Sequence, residues 1–130
     1  MSAPRRLSAF FHLIEQDIEA AETLAQKKNH YAGYHCQQAV EKLMKALLLH
    51  QGIESGIEHQ LYVVIEKFPK DSGWRQELTP LLKYSGYATT FRYPTPGGRV
   101  PPPPAEEEVL ADLTVLRRLL AKAKAEAGMR

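Results

Sequence analysis

The densest run of side chains able to do chemistry is His35-Cys36-Gln37-Gln38-Ala39-Val40-Glu41-Lys42-Leu43-Met44-Lys45. At helical spacing Gln38, Glu41, Lys42 and Lys45 stand at i, i+3, i+4 and i+7, so one side of a helix carries an amide, a carboxylate and two ammonium groups. Two readings are open. The stripe is a solvated face whose Glu41–Lys45 pair is worth a few tenths of a kcal/mol; or, because the rest of the segment is nearly all apolar, it is a polar seam that needs partners. Two partners are candidates. His59, in His59-Gln60-Leu61, is placed to cap a helix or hydrogen-bond across to another. Arg92, in Phe91-Arg92-Tyr93-Pro94, puts a guanidinium beside an aromatic ring at a helix-to-loop junction, which suits planar contact with phosphate or carboxylate; its alternative is a helix-end arginine bonded to carbonyls. Tyr93 or Tyr34 is available to stack on a base. The candidate ligand-binding set is Gln38, Glu41, Lys42, Lys45, His59, Arg92 and Tyr93, and no residue is assigned a catalytic role.

Absent motifs narrow the chemistry. The 130 residues hold no Gly-x-x-x-x-Gly-Lys loop, no Gly-x-Gly-x-x-Gly turn and no His-Glu-x-x-His, which removes nucleotide hydrolysis and zinc proteolysis by those routes. The histidines His12, His30, His35, His50 and His59 make no compact ligand pattern, so no metal and no cofactor is expected. Cys36 adjoins His35, but neighbours on a helix point about 100° apart, and Cys36 is expected to be an inert core thiol. A lone cysteine cannot form an intramolecular disulfide, in keeping with a reducing cytoplasmic setting. Seventeen Lys and Arg against fifteen Asp and Glu leave a net charge of +2, too little for a general nucleic-acid coat, so any anion site must be local. No run of 18 apolar residues exists for a membrane span, and His12, Glu15, Gln16 and Asp17 interrupt the stretch where a signal-peptide core would lie.

The elements that must position these groups follow from apolar spacing. Leu7, Phe10, Phe11, Ile14, Ile18, Ala21, Leu24 and Ala25 predict a helix from Leu7 to about Lys28, with Asn29 as a left-handed cap. A second helix runs from near His30 to Leu49 and stops at Gly52; with Tyr34, Met44, Leu48 and Leu49 off its main stripe, it belongs at the centre of a bundle. Leu61, Val64, Ile65 and Phe68 predict a short third helix, against a strand reading of Tyr62-Val63-Val64-Ile65. For the fourth, either Thr79 caps a helix with Pro80 in its first turn, or the helix starts at Ser72 and bends at Pro80; a short turn and then the main helix is favoured. Residues 92–104, with Pro94, Pro96 and Pro101 to Pro104, make an extended proline-rich loop. A last helix opens on Glu106, Glu107 and Glu108 and closes on Lys122 and Lys124, the order the dipole prefers. The expectation is a single all-α domain, an antiparallel up-and-down four-helix bundle with an additional short helix.

Taken together, Asp17, Tyr31, the run Gln38-Ala39-x-Glu41-Lys42-x-x-Lys45-Ala46-Leu47-Leu48, Gly52, His59-x-Leu61 and Arg92-Tyr93-Pro94 resemble the HEPN domain, the higher eukaryotes and prokaryotes nucleotide-binding family, in its stand-alone prokaryotic form. The resemblance spans about Leu7 to Ala123. It implies a helical bundle, commonly a homodimer, that binds nucleotide or RNA and acts with a minimal nucleotidyltransferase protein in a toxin–antitoxin-like two-component system. Many such relatives are metal-independent endoribonucleases that use Arg, four to six residues, then His near the last helix. Here no histidine follows Arg92 or Arg99, and the Arg6–His12 spacing falls in the first helix. The nuclease reading is therefore the disfavoured alternative to a binding module. For a homodimer, a surface on the second and last helices is expected, because Leu48 and Leu49 are otherwise unexplained.

Overall fold

Apolar residues at three- and four-residue steps build three long helices: α1 (Ala3–Gln26), α2 (Ala32–His50) and, at the end of the chain, α5 (Glu106–Glu126). The computed structural model describes residues 3–129, and among them every regular element is helical. Between α2 and α5 lie α3 (Leu61–Ile65), α4 (Gly73–Leu78) and two 3-10 stretches, Thr79–Ala88 and Thr90–Arg92. The strand reading of 62–65 fails, because those residues are only part of a short helix that buries Leu61, Val64 and Ile65.

α2 is the central helix. It buries Cys36, Ala39, Val40, Leu43, Met44, Ala46, Leu47 and Leu48, and packs against α1, α3, α5 and the first 3-10 stretch. Ile14 of α1 and Leu113, Leu116 and Leu119 of α5 close the same core, each without exposed surface. This centrality removes the reason given above for a dimer surface on α2. Leu48 is fully buried within the chain, Leu49 is half-buried, and α2 has no exposed large apolar side chain among the described residues.

Helix ends follow the six-to-one and five-to-two bonding of the Schellman motif. At the end of α1, Asn29 N–H donates to the Leu24 carbonyl and Lys28 N–H to that of Ala25. The left-handed residue there is Lys28, at φ +55°, one position before the expected Asn29. Asn29 instead accepts the Tyr31 N–H on its side chain. α2 ends as expected, on Gly52 at φ +75°.

The fourth segment departs from the favoured reading. Its start is Ser72, whose Oγ accepts the Arg75 N–H at 3.4 Å, and the chain then passes without a turn from α4 into ten residues of 3-10 helix. The cause is local. Pro80 has no N–H to return to the α-helical ladder and its ring crowds the preceding turn, so the backbone tightens there. The proline-rich loop is also less extended than expected. Thr95 and Arg99 are joined by an N–H to carbonyl bond of 2.8 Å, with Gly98 turning the chain at φ +82°.

Candidate functional site

The polar stripe on α2 faces protein, not solvent. Asp17 sits on the buried side of α1, one helical step from Ile14 and Ala21, and receives two groups from α2. His35 Nδ1 lies 3.0 Å from Asp17 Oδ1, and Lys42 Nζ 2.5 Å from Oδ2. Because a carboxylate only accepts, Nδ1 carries the proton and the imidazole presents Nε2 away from Asp17. Lys42 also donates to Gln38 Oε1 at 3.3 Å, and Gln38 donates to Gln37 Oε1 at 2.7 Å.

Gln37 carries the network onward. Its amide donates to Glu41 Oε1 at 2.9 Å and to the His59 carbonyl at 3.2 Å. Glu41, 5% exposed, also holds His59 Nδ1 at 2.8 Å and Lys45 Nζ at 3.2 Å. One continuous set of hydrogen bonds thus joins α1, α2 and the connection before α3. Five of the seven sequence candidates belong to it: Gln38, Glu41, Lys42, Lys45 and His59. The solvated-face reading of the stripe fails, since Lys45 keeps only 12% of its side chain exposed and both lysines are matched by a carboxylate. The two positive charges are spent inside the fold.

Arg92 and Tyr93 lie apart from that set. Arg92 is exposed, and its guanidinium carbon stands 4.5 Å from the centre of the Tyr34 ring. Tyr34 in turn meets the His35 imidazole edge-on at 5.3 Å, so guanidinium and imidazole flank one aromatic ring. Arg92 also donates to the Ala88 carbonyl at 3.3 Å, the helix-end bond weighed above, which leaves most of its donors open. Tyr93 is 63% exposed and extended.

The segment carrying Arg92 is seated by aromatic rings on glycines. A Cβ on Gly33 of α2 would stand 2.4 Å from the Tyr87 ring, and one on Gly86 would stand 2.5 Å from that of Phe91. Tyr87 and Phe91 pack together at 4.8 Å, and His30 Nε2 donates to the Phe91 carbonyl. Only hydrogen at positions 33 and 86 admits these rings, and through them Arg92 reaches Tyr34.

Behind this platform Cys36 is buried, and burial pushes its thiol up to about 12 against a smaller downward pull from the hydrogen bond with Tyr84. It lies in the core, as expected. Tyr84 lies well above the usual phenol range, through burial first and then the negative charge around it, including Asp112, which its hydroxyl meets at 2.5 Å. Among the described residues no three His, Cys, Asp or Glu side chains converge as a metal-binding group, and no helix is long and apolar enough to cross a membrane.

The candidate set leaves out three participants, His35, Gln37 and Asp17; His35 is noted in the run but given no part in binding. Gln37 is wholly buried and bridges the halves of the network, yet in the sequence it is one more polar residue. Asp17 carried a signal that apolar spacing alone passes over: it interrupts the stripe Ile14, Ile18, Ala21, where a carboxylate must find a partner.

A family model described as the HEPN domain matches residues 15–125. A protein of Methanocaldococcus jannaschii that bears the name "Putative toxin MJ1304" is 36% identical over 81 residues, 56% of this chain and 51% of that protein. The chain therefore spans about half the length of the curated relative it matches. No solved structure matches it.

Proposed function

The chain belongs to the HEPN domain family, and from that premise we propose that it is a nucleotide- or RNA-binding helical module working with a minimal nucleotidyltransferase partner in a toxin–antitoxin-like pair. The observation that carries the binding site is Arg92 stacked on Tyr34 beside His35. A guanidinium with open donors takes phosphate oxygens in bidentate fashion, and Tyr93 offers an exposed ring for a base. Lys42, Lys45, Gln38, Glu41 and His59 serve this site from behind, by fixing α1 and α2 around Asp17 and His35. The toxin name of the Methanocaldococcus relative supports the two-component reading. A homodimer is part of the same proposal.

The test is calorimetric titration of the protein with nucleoside triphosphates and with a short single-stranded RNA. Arg92→Ala is expected to weaken binding by about tenfold or more, the loss of one charge-assisted contact. Arg92→Ala combined with Lys42→Ala adds the loss of Asp17 positioning. Equal binding by wild type and Arg92→Ala, or none by wild type, overturns the reading. For the partner, the neighbouring reading frame is co-expressed with a tagged chain; absence of a nucleotidyltransferase there and in the purified complex removes that part.

A second reading, a metal-independent endoribonuclease, is favoured by one observation. Asp17 fixes His35 with Nε2 free on the same aromatic ring that Arg92 covers. Nε2 would take the proton of a ribose 2′-hydroxyl, whose oxygen attacks phosphorus as the bond to the 5′-oxygen breaks. That oxygen leaves with a proton from water, and the hydroxide so formed takes back the proton held on Nε2, giving a 2′,3′-cyclic phosphate and a 5′-hydroxyl, while Arg92 stabilises the charge on phosphorus. RNA cut by wild type, uncut by His35→Asn and protected by 2′-deoxy substitution supports it; RNA intact after long incubation discards it.

A further inference from the structure

On the side of α1 opposite Asp17, α1 and α5 run antiparallel and leave a groove of about 610 Å³. Ile18, Leu120, Ala121, Ala125 and Met129 make it apolar. Two ion pairs clasp the helices along it, Glu15 with Lys124 and Glu22 with Arg117, the latter at 3.0 Å. Between them on α1 stands Glu19, exposed, with no hydrogen bond or ion pair among the described residues.

We propose that this groove docks an amphipathic helix of a partner protein, one whose apolar face carries a Lys or Arg that meets Glu19. The shape selects a helix. Ala121 and Ala125 are exposed one turn apart on α5, and small side chains there let a third helix approach and pack its ridge between two others. From Glu15 to Glu22 the groove follows two turns of α1, roughly 10 Å, the span of one helical face. The charge selects its chemistry. Each clasp is neutral in itself, so among the described residues that line the groove Glu19 supplies the one unmatched charge an incoming chain meets. Covering that carboxylate without a cation leaves it desolvated and unpaired, which is strongly unfavourable. A second copy is a poor occupant, since a two-fold axis through the groove sets Glu19 against Glu19. An acidic segment or a phosphate backbone is repelled for the same reason.

Nothing in this surface depends on the Arg92 site, so it stands or falls separately. The probes are two fluorescein-labelled helical peptides of equal length, with Leu and Ile at heptad core positions, identical except for a central Lys or Glu. Fluorescence anisotropy is read with the full chain, with Glu19→Lys and with Ala125→Trp, each checked for native melting by circular dichroism. The Lys peptide is expected to bind at least about tenfold more tightly than the Glu peptide, Glu19→Lys to reverse that order, and Ala125→Trp to abolish both. Binding by neither peptide, equal binding of the two, or binding indifferent to Ala125→Trp overturns the proposal. So does a dimer in light scattering that Ala125→Trp dissociates, because a second copy would then fill the groove.

Discussion

Glu41 accepts from Gln37 and pairs with Lys45 and His59, all within a site where it keeps only 5% of its surface. An ion pair in water is worth little, but an enclosed one such as Glu41–Lys45 is costly to break, because the remaining charge is left without either water or a counter-ion. Glu41→Gln keeps the shape and removes the charge opposite Lys45. It is expected to destabilise the protein by about 2–4 kcal/mol in urea unfolding, whereas Glu58→Gln, at an exposed position, should stay within about 0.5 kcal/mol of wild type. Residue types and spacing made the Glu41–Lys45 pair legible. That Glu41 also binds His59, eighteen positions away, was only one of several readings of His59, since a hydrogen bond across helices depends on where the connection over 51–60 lies.

At the scale of elements, placing Arg92 is the task of the segment Thr79–Arg92. Ten residues of 3-10 helix are longer than such geometry usually persists, because its hydrogen bonds are poorer than those of an α-helix. Here the segment is held by side chains, with Tyr87 seated on Gly33 and Phe91 on Gly86. Gly33→Ala should push Tyr87 off α2, lower stability by about 1–3 kcal/mol in thermal unfolding, and weaken any binding that requires Arg92. Gly73→Ala is the control, since a Cβ there meets nothing within 4 Å. The Ser72 and Pro80 signals were both visible in the sequence. Choosing between them required the packing of Leu78, Leu81 and Leu82 into the core, which rewards a continuous segment over a turn followed by a fresh helix.

Over the whole molecule, Cys36, Tyr84 and Tyr87 all hold their protons more tightly than their ordinary values of 9.0 and 10.0, with burial the leading cause in each. The unfolded chain releases those protons first, so above about pH 9 the native state binds more protons and stability falls as pH rises. Melting temperature should be flat from pH 7 to 8.5 and decline beyond pH 9, by up to about 1.4 kcal/mol of stability per pH unit for each such group, with Cys36→Ala and Tyr84→Phe together reducing the decline. Apolar spacing and one glycine determined the three long helices, the central place of α2, the burial of Cys36 and the stop at Gly52, because each depends on residues within a few turns of one another. The HEPN resemblance rested likewise on types and spacing along one chain. Only the tertiary structure decided that Lys42 and Lys45 are already matched by Asp17 and Glu41, that Leu48 lies in the core, and that Arg92 shares the Tyr34 ring with His35. Charge balance, enclosure and contact are set by which distant segments meet, and a side chain's neighbours across the fold are not encoded in its own spacing.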